Sequence, residues 1–154
     1  MKSDRIQKLT LAGALAALTT VATLLIQIPS PTKGYINTGD VPVNLSAWIL
    51  GPLYGGAAAG IGSALADLIS GYTVYAPATL LIKAAMAVVS YFVFKRLSEN
   101  RKSFFALIAG AVAAEIVMIF GYAVFAGVLY GSFSSALLSV PENIVQGVSN
   151  STES

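Results

Sequence analysis

Long apolar runs separated by short polar turns constrain the fold of this chain most. The first run covers 9–28 and ends at Pro29, and further runs occupy 53–70, 76–95 and 104–129. A helix needs about 20 apolar residues to cross the hydrocarbon core of a bilayer. Only 10% of the 154 residues are charged and 56% are hydrophobic, whereas soluble domains carry about 25% charged residues. The sequence therefore predicts an all-α integral membrane protein, with one transmembrane domain over 1–154.

The chain contains neither Cys nor His. Disulfides, thiolate nucleophiles, imidazole bases and the usual zinc or haem ligands are therefore excluded. No GxxxxGK[ST] phosphate-binding loop occurs either, and such a loop is typical of proteins that hydrolyse nucleotides. We predict that the protein is not an enzyme and holds no cofactor or metal. Uphill transport by it would draw its energy from ions or from a separate subunit.

Seven of the nine basic residues form two clusters. They are Lys2, Arg5 and Lys8 at the N-terminus, and Lys95, Arg96, Arg101 and Lys102 in the middle of the chain. Because cytoplasmic loops are enriched in Lys and Arg, both clusters are expected inside the cell, which gives a cytoplasmic N-terminus. A signal peptide is the alternative for the first run. The run is long for that role and lacks a small-residue cleavage site, so we expect a retained helix.

The segment 37–50 must return the chain to the inside, because two inside clusters require an even number of crossings between them. The predicted helix is short, at 43–50, and ends at Gly51-Pro52. The loop 29–43 before it then begins below the membrane surface, where it dips into the protein and covers a pocket. A sixth helix is predicted at 133–148, shortened at its C-terminal end. The predicted fold is a six-helix bundle.

Three ionisable residues lie within the apolar runs: Asp67, Lys83 and Glu115. A charge inside a bilayer is costly and needs a partner or a function. Asp67 and Lys83 are predicted at similar depth, so an ion pair between them is one reading and a ligand contact is the other. Glu115 has no evident partner in the neighbouring sequence. It is the better candidate for contact with a ligand or a proton.

Polar and aromatic residues collect in the outer half of the predicted bundle. The candidates for a binding site are Asp40, Tyr75, Lys83, Glu115, Tyr122, Asn143 and Gln146. Anchoring at the membrane interface is the alternative for any single Tyr. The amides of Asn143 and Gln146 lie three residues apart, on one helical face. Amides suit the edge of a heteroaromatic ring and Tyr faces suit stacking on it, so the set predicts a small, planar, polar ligand.

Small residues form a stripe on the first helix, where Ala12 and Ala16 lie four apart and Gly13 and Ala17 repeat the step. Small residues let two helix backbones approach closely in lipid. The pattern indicates either packing within this protein or docking of a partner protein.

The order of these features resembles the S component, the substrate-binding subunit, of an energy-coupling factor (ECF) vitamin transporter. The resemblance rests on the stripe Ala12 to Ala16, the loop 35–42, the sequence LGP at 50–52, Tyr75-Ala76-Pro77, Ile82-Lys83, Pro141-Glu142-Asn143 and Gln146-Gly147. It covers residues 5 to about 148. Within the family, the chain most resembles members that handle hydroxymethylpyrimidine or pyridoxine.

The resemblance implies a six-helix fold with one pocket near the outer face, capped by the loop that carries Asp40 and lined by helices four to six. It also implies partners: a membrane T component and two ATPase subunits, docked in part through Ala12 and Ala16. Family members complete helix six, and this chain ends soon after Gln146.

The leading hypothesis is a subunit of an ECF-type ABC importer that captures a small vitamin or vitamin precursor outside the cell for ATP-driven uptake. A self-contained secondary transporter, driven by protons through Glu115, is the alternative. A structural membrane protein without a ligand is the third possibility.

Overall fold

The computed structural model describes residues 2–29, 35–99, 103–131, 140–141 and 143–150. Its elements in chain order are α1 (Lys2–Leu25), β1 (Gln27–Pro29), β2 (Tyr35–Asn37), α2 (Asp40–Ser70), α3 (Ala76–Ser98) and α4 (Ser103–Tyr130). A last helical segment, which we call α5, covers 140–141 and 143–150.

Within the described residues, four helices are long and apolar enough to cross a membrane: Lys2–Leu25, Asp40–Ser70, Ala76–Ser98 and Phe104–Tyr130. At 1.5 Å per residue, 23 residues of α3 extend about 35 Å, which exceeds the roughly 30 Å of a bilayer core. Large apolar side chains such as Leu81 and Phe120 are exposed on the outside of the helices. Water would disfavour such a surface and lipid favours it, so the chain is a multi-pass membrane protein.

The helix α2 reverses direction at Gly51, where φ is 82° and ψ is −177°. A Cβ on Gly55 would lie only 2.5 Å from the carbonyl oxygen of Ser46, although nine residues of straight helix extend about 13 Å. The arms 40–50 and 52–70 therefore fold back on each other. Gly51 tolerates the positive φ, and Pro52 has no N–H group to leave unpaired.

The prediction of six separate helices is not matched, since the described residues form five. The predicted helices 43–50 and 53–70 are two arms of the single element α2, because one residue makes the reversal and no loop separates them. Residues 133–139 and 142 of the predicted helix 133–148 lie outside the described residues. In the described part, α5 continues to residue 150, two residues past the predicted end.

A small hairpin connects α1 to α2. Strands β1 and β2 pair antiparallel, with Gln27 opposite Asn37, and the Gln27 amide exchanges hydrogen bonds of 2.8 and 3.2 Å with the Ser70 hydroxyl. A continuous loop over 29–43 was predicted. That loop is shorter than predicted because α2 already begins at Asp40, and residues 30–34 lie outside the described part. We call this end of the bundle the hairpin end.

Glycines allow the helix backbones to pack closely. A Cβ on Gly62 would lie 2.5 Å from the carbonyl oxygen of Ala16 on α1, and a Cβ on Gly60 would lie 2.6 Å from that of Leu80 on α3. Thr20 also donates a 2.8 Å hydrogen bond to the Gly62 carbonyl. The second arm of α2 is thus held between α1 and α3 by backbone contact, as small residues permit in lipid.

Candidate functional site

A buried carboxylate, that of Asp40, joins three helices. Its Oδ1 atom accepts a hydrogen bond from Lys83 Nζ on α3, within a salt bridge. Its Oδ2 atom accepts from Gln146 Nε2 at 2.6 Å and from Asn150 Nδ2 at 3.3 Å, both on α5. Asp40, Lys83, Gln146 and Asn150, which we call the Asp40 cluster, are each at most 3% exposed. An ion pair removed from water needs such additional hydrogen bonds to be tolerated.

The start of α2 places Asp40 at this depth. Asp40 lies in the first turn of the helix, where the helix dipole stabilises a negative charge. Lys83 follows the first residue of α3 by seven positions, which puts it about 10 Å along that helix from the hairpin end. Because the two side chains bond directly, α2 begins well below the hairpin end of the bundle.

Helix α4 contributes a methionine sulfur and a tyrosine ring to the surroundings of the cluster. The sulfur of Met118 lies 3.4 Å from Lys83 Nζ and 3.2 Å from Gln146 Nε2. Tyr122 lies one turn further along α4, with its ring centroid 5.8 Å from Lys83 Nζ. The Tyr122 hydroxyl is 3.0 Å from that of Thr79 on α3. The single positive charge of the cluster is therefore surrounded by Asp40, a thioether and an aromatic face.

Glu115 lies beside the cluster and differs from Asp40 in its bonding. It precedes Met118 by three residues on α4, so it shares a helical face with it, and it is close enough to Asp40 and Lys83 to interact with them electrostatically. It is 5% exposed. Among the described residues, neither of its carboxylate oxygens has a hydrogen-bond partner. Gly147 faces it on α5: a Cβ there would lie 3.3 Å from Glu115 Oε2.

A second buried acceptor lies on α2. The side chain of Asn44 donates a 3.1 Å hydrogen bond to the backbone carbonyl of Asp40. Its own oxygen, Oδ1, is buried and has no partner within the described ranges. Asp40 thus accepts hydrogen bonds from Lys83, Gln146 and Asn150 through its carboxylate and from Asn44 through its backbone carbonyl. Both carboxylate oxygens of Glu115 and Oδ1 of Asn44 have no hydrogen-bond partner among the described residues.

The structure gathers five of the predicted binding residues in one place: Asp40, Lys83, Glu115, Tyr122 and Gln146. Tyr75 lies instead at the hairpin end, where its hydroxyl is 3.0 Å from that of Tyr130 and its ring meets Phe125 edge to face at 5.4 Å. Asn143 lies one turn before Gln146 on α5 and is half-buried. In the described part of the chain, neither Tyr75 nor Asn143 is bonded to Asp40 or Lys83.

The predicted ion pair between Asp67 and Lys83 is wrong. The partner of Lys83 is Asp40, because α2 begins below the hairpin end and carries that carboxylate to the level of Lys83. Asp67 lies near the far end of the second arm of α2, where its backbone carbonyl accepts a 2.8 Å hydrogen bond from the Tyr72 amide. Sequence spacing alone could not distinguish the two carboxylates.

Four residues at the site were not predicted as part of it: Asn44, Thr79, Met118 and Asn150. Two of them carry a signal in the sequence, since Asn44 follows Asp40 by four residues and Asn150 follows Gln146 by four, the spacing of neighbours on one helical face. Asn150 lies in the polar sequence SNSTES at 149–154, and the polarity of this run did not indicate a buried residue. Met118 and Thr79 carry no signal, because a Met or Thr in an apolar helix is ordinary.

The small-residue stripe of α1 is divided between two surfaces. Ala12 and Ala16 are half-buried and pack against a cluster that contains Leu50 and Ala58 on α2. Gly13 is exposed on α1, with no atom within 4 Å of the position that a Cβ would occupy, and Ala17 is exposed as well. Internal packing therefore accounts for part of the stripe.

No group of three or more Asp, Glu, Cys or His side chains that could hold a metal ion occurs in the described residues. The site brings one cation, two carboxylates and amide side chains together within a membrane bundle. By its fold and this site, the protein is a multi-pass helical membrane protein with a buried polar cluster.

The comparisons with known proteins identify its family. The model of the family "ECF-type riboflavin transporter, S component" matches residues 3–151, and the chain belongs to this family. A solved structure, described as that of the S component of a bacterial ECF transporter, matches with a TM-score of 0.73 and 26% identity over 99% of this chain and 91% of that one. The chain is also 43% identical over 132 residues to an "uncharacterized protein in gap 3'region" of Pyrococcus woesei, with 84% of each chain covered.

The chain is therefore an ECF S component, which is a membrane transport protein and not an enzyme. S components bind a small vitamin substrate and associate with the T component and the ATPase subunits of the transporter.

Proposed function

We propose that this protein captures a small heterocyclic vitamin or vitamin precursor at the outer face of the cell membrane and delivers it inward when separate ATPase subunits hydrolyse ATP. The observation that carries the proposal is the buried Asp40 cluster beside Glu115. Lipid disfavours buried charges strongly, so a bundle that served only to span the membrane would gain more from apolar residues at these positions.

The ligand is proposed to bind beside the Asp40 cluster, in contact with Glu115 and Tyr122. A planar ring stacks well on a Tyr face. A carboxylate and nearby amides can form hydrogen bonds with the polar atoms at the edge of the ring. The family description names riboflavin. Hydroxymethylpyrimidine and pyridoxine are the ligands that the sequence resemblance favours. All three are planar heterocycles with polar edges.

Binding of these compounds to the purified chain tests the first part of the proposal. We expect one of riboflavin, hydroxymethylpyrimidine or pyridoxine to bind, and mass spectrometry of the purified protein to find the same compound carried along. Lys83→Gln should weaken that binding, because it removes the cation that organises Asp40. Lys8→Gln, an exposed change on α1, is the matched control. If the wild-type chain binds none of the three compounds, the proposal fails.

Dependence on partners tests the second part. Uptake of the ligand should disappear when the T component or the ATPase subunits are deleted. The self-contained proton-driven transporter predicts the opposite result: uptake persists without them and is abolished by a protonophore while ATP is maintained. The family membership favours dependence on ATP, and persistence without the partners would overturn it.

We further propose that the small-residue stripe of α1 docks the T component. Ala12→Leu with Ala16→Leu should stop uptake, but both residues pack against α2, so a loss of folding would have the same effect. Gly13→Leu with Ala17→Leu changes the exposed half of the stripe and spares that packing. Uptake that survives both pairs, in proteins that still bind ligand, would remove the docking proposal.

A cytoplasmic N-terminus is proposed from the placement of basic residues. Lys95 and Arg96 end α3 at the end of the bundle opposite to the hairpin, the end at which α1 begins with Lys2 and Arg5. The positive-inside rule puts this end in the cytoplasm. The hairpin, the start of α2 and the candidate binding site then belong to the outer half.

A further inference from the structure

The start of α2 is held in place by a buried ion pair. Asp40 lies in the first turn of the helix and pairs with Lys83 on α3. Closer to the reversal the first arm is fixed by backbone contact, because a Cβ on Gly55 would lie 2.5 Å from the Ser46 carbonyl oxygen. The part that can move without breaking this contact is therefore β2 with the first turn of α2, over 35–44, which we call the cap segment.

Movement of the cap segment would separate the two charges of this pair. Asp40 would move with the cap segment toward water at the hairpin end. Lys83 is part of α3 and is 3% exposed, so its ammonium group would stay in the bundle. A buried charge that loses its only counter-ion is strongly unfavourable. Opening therefore requires a second anion within reach of Lys83.

Glu115 on α4 is such an anion. It is buried, and neither of its carboxylate oxygens has a hydrogen-bond partner among the described residues. It interacts electrostatically with both Lys83 and Asp40. Met118 follows it by three residues on the same helical face, and the Met118 sulfur lies 3.4 Å from Lys83 Nζ. Because a lysine carries its charge on a flexible four-carbon stem, the ammonium group can move from one carboxylate to the other.

The two pairings of Lys83 belong to two states of the cap segment. In the observed state, Asp40 also accepts hydrogen bonds from Gln146 and Asn150, so this pairing is the more favourable one. In the alternative state, Asp40 is hydrated at the hairpin end and Lys83 is neutralised by Glu115. Every charge then has a partner or water, which makes the alternative an accessible minor state.

We propose that Glu115 is the alternative counter-ion of Lys83, and that exchange of Lys83 from Asp40 to Glu115 allows the cap segment to open. The action of the cap segment as a lid over a ligand rests on the proposed function, whereas the exchange itself does not. A ligand that engages Glu115 would occupy the alternative counter-ion and so hold the cap segment closed.

A zero-length cross-link tests the exchange on the unaltered full chain, in detergent and without ligand. Dicyclohexylcarbodiimide joins a carboxyl group to an amine as an amide and takes up the released water as dicyclohexylurea. Cyanogen bromide then cleaves after Met86 and Met118. A link from Lys83 to Asp40 lies within the fragment that ends at Met86, whereas a link from Lys83 to Glu115 joins that fragment to the next one. We expect mass spectrometry to find both products.

Three variants identify the joined fragments. Lys83→Gln and Glu115→Gln should each abolish the link between the two fragments. Lys95→Gln, in the last turn of α3, is the matched control and should leave it unchanged. A wild-type chain that links Lys83 to Asp40 and never to Glu115 would overturn the proposal.

Labelling of an introduced cysteine measures the opening itself. The chain has no Cys of its own, and Val43, in the cap segment, is completely buried. Val43→Cys should therefore react with a water-soluble maleimide only when the cap segment opens. Adding Glu115→Gln should slow this reaction by about 10- to 100-fold, because opening would leave Lys83 without a counter-ion. Ser90→Cys, equally buried on α3, is the control whose labelling rate Glu115→Gln should not change.

The outcomes separate this proposal from the proposed function. Labelling of Val43→Cys at the same rate with and without Glu115→Gln would overturn the exchange, even in a chain that binds a vitamin. If Glu115→Gln does not fold, as judged by its thermal transition in detergent, the cross-link in the wild-type chain decides. Both measurements are made without ligand, so failure to bind any vitamin would overturn the proposed function and leave the exchange supported by its own signals.

Discussion

Two regions of this protein bury polar or small groups inside a membrane bundle, and they do so for different reasons. Where the second arm of α2 passes between α1 and α3, glycines at 60 and 62 bring backbones into direct contact. At the Asp40 cluster, side chains carry the contact and an ion pair joins α2 to α3. The first region is specified by the absence of side chains. The second is specified by opposite charges that are stable in the bundle only when they form an ion pair.

The difference shows which part acts as a scaffold. Where helix backbones are in direct contact, a single added carbon atom would overlap the neighbouring helix unless that helix shifts. A hydrogen-bonded cluster can exchange one partner for another of the same chemistry, which a ligand can supply. Substitutions that add volume should therefore harm the first region, and substitutions that change charge should harm the second.

Asp40→Ala should have the largest effect on stability. It leaves the Lys83 ammonium buried without its counter-ion, and the loss of one partner of a buried pair typically costs about 3–5 kcal/mol. Thermal unfolding in detergent measures the effect. The double variant Asp40→Ala with Lys83→Met removes both charges and should recover much of the stability. An Asp40→Ala protein that melts at the wild-type temperature would show that the pair is not what holds α2 and α3 together.

Gly62→Ala should come next. The new Cβ would lie 2.5 Å from the Ala16 carbonyl oxygen and 2.9 Å from Thr19 Cβ, so α1 must shift, at a cost of about 1–3 kcal/mol. The higher helix propensity of Ala recovers only about 0.5–1 kcal/mol of that cost, so the variant should melt below the wild type.

Gly13→Ala is the control for this comparison, and it should have the opposite sign. Gly13 lies within α1 and has no neighbour within 4 Å of the position of a Cβ, so only the gain in helix propensity remains. The thermal transition of this variant should be unchanged or slightly raised. If Gly62→Ala and Gly13→Ala shift it in the same direction, close backbone packing does not define the scaffold region.

Tyr75→Phe should have the smallest effect. The change removes the hydrogen bond between the Tyr75 and Tyr130 hydroxyls and keeps the ring contact with Phe125. A hydrogen bond of this kind contributes about 0.5–1.5 kcal/mol, and water at the hairpin end can replace part of it. Ligand affinity should stay the same, since Tyr75 lies away from the Asp40 cluster. Weaker ligand binding by the variant would show that Tyr75 takes part in the binding site.

The difference between the two regions also explains how far sequence reasoning reached. Long apolar runs predict membrane helices reliably, because no other environment stabilises them. The break at Gly51-Pro52 was predictable from the backbone restrictions on those two residues. That a single residue would reverse the chain, and so merge two predicted helices into α2, was not, since the reversal depends on the packing of Gly55 against the first arm.

At the candidate site, the sequence alone determined which residues needed explanation. Asp67, Lys83 and Glu115 are conspicuous in apolar runs, and Asp40 and Gln146 are polar residues at the edges of such runs. Only the tertiary structure decided that Lys83 pairs with Asp40, that Asn150 joins them, and that Glu115 is the carboxylate whose oxygens have no partner among the described residues. The physical reason is that the need of a buried charge for a partner is a property of the residue, whereas the identity of that partner depends on the depth at which each helix begins and on which faces meet.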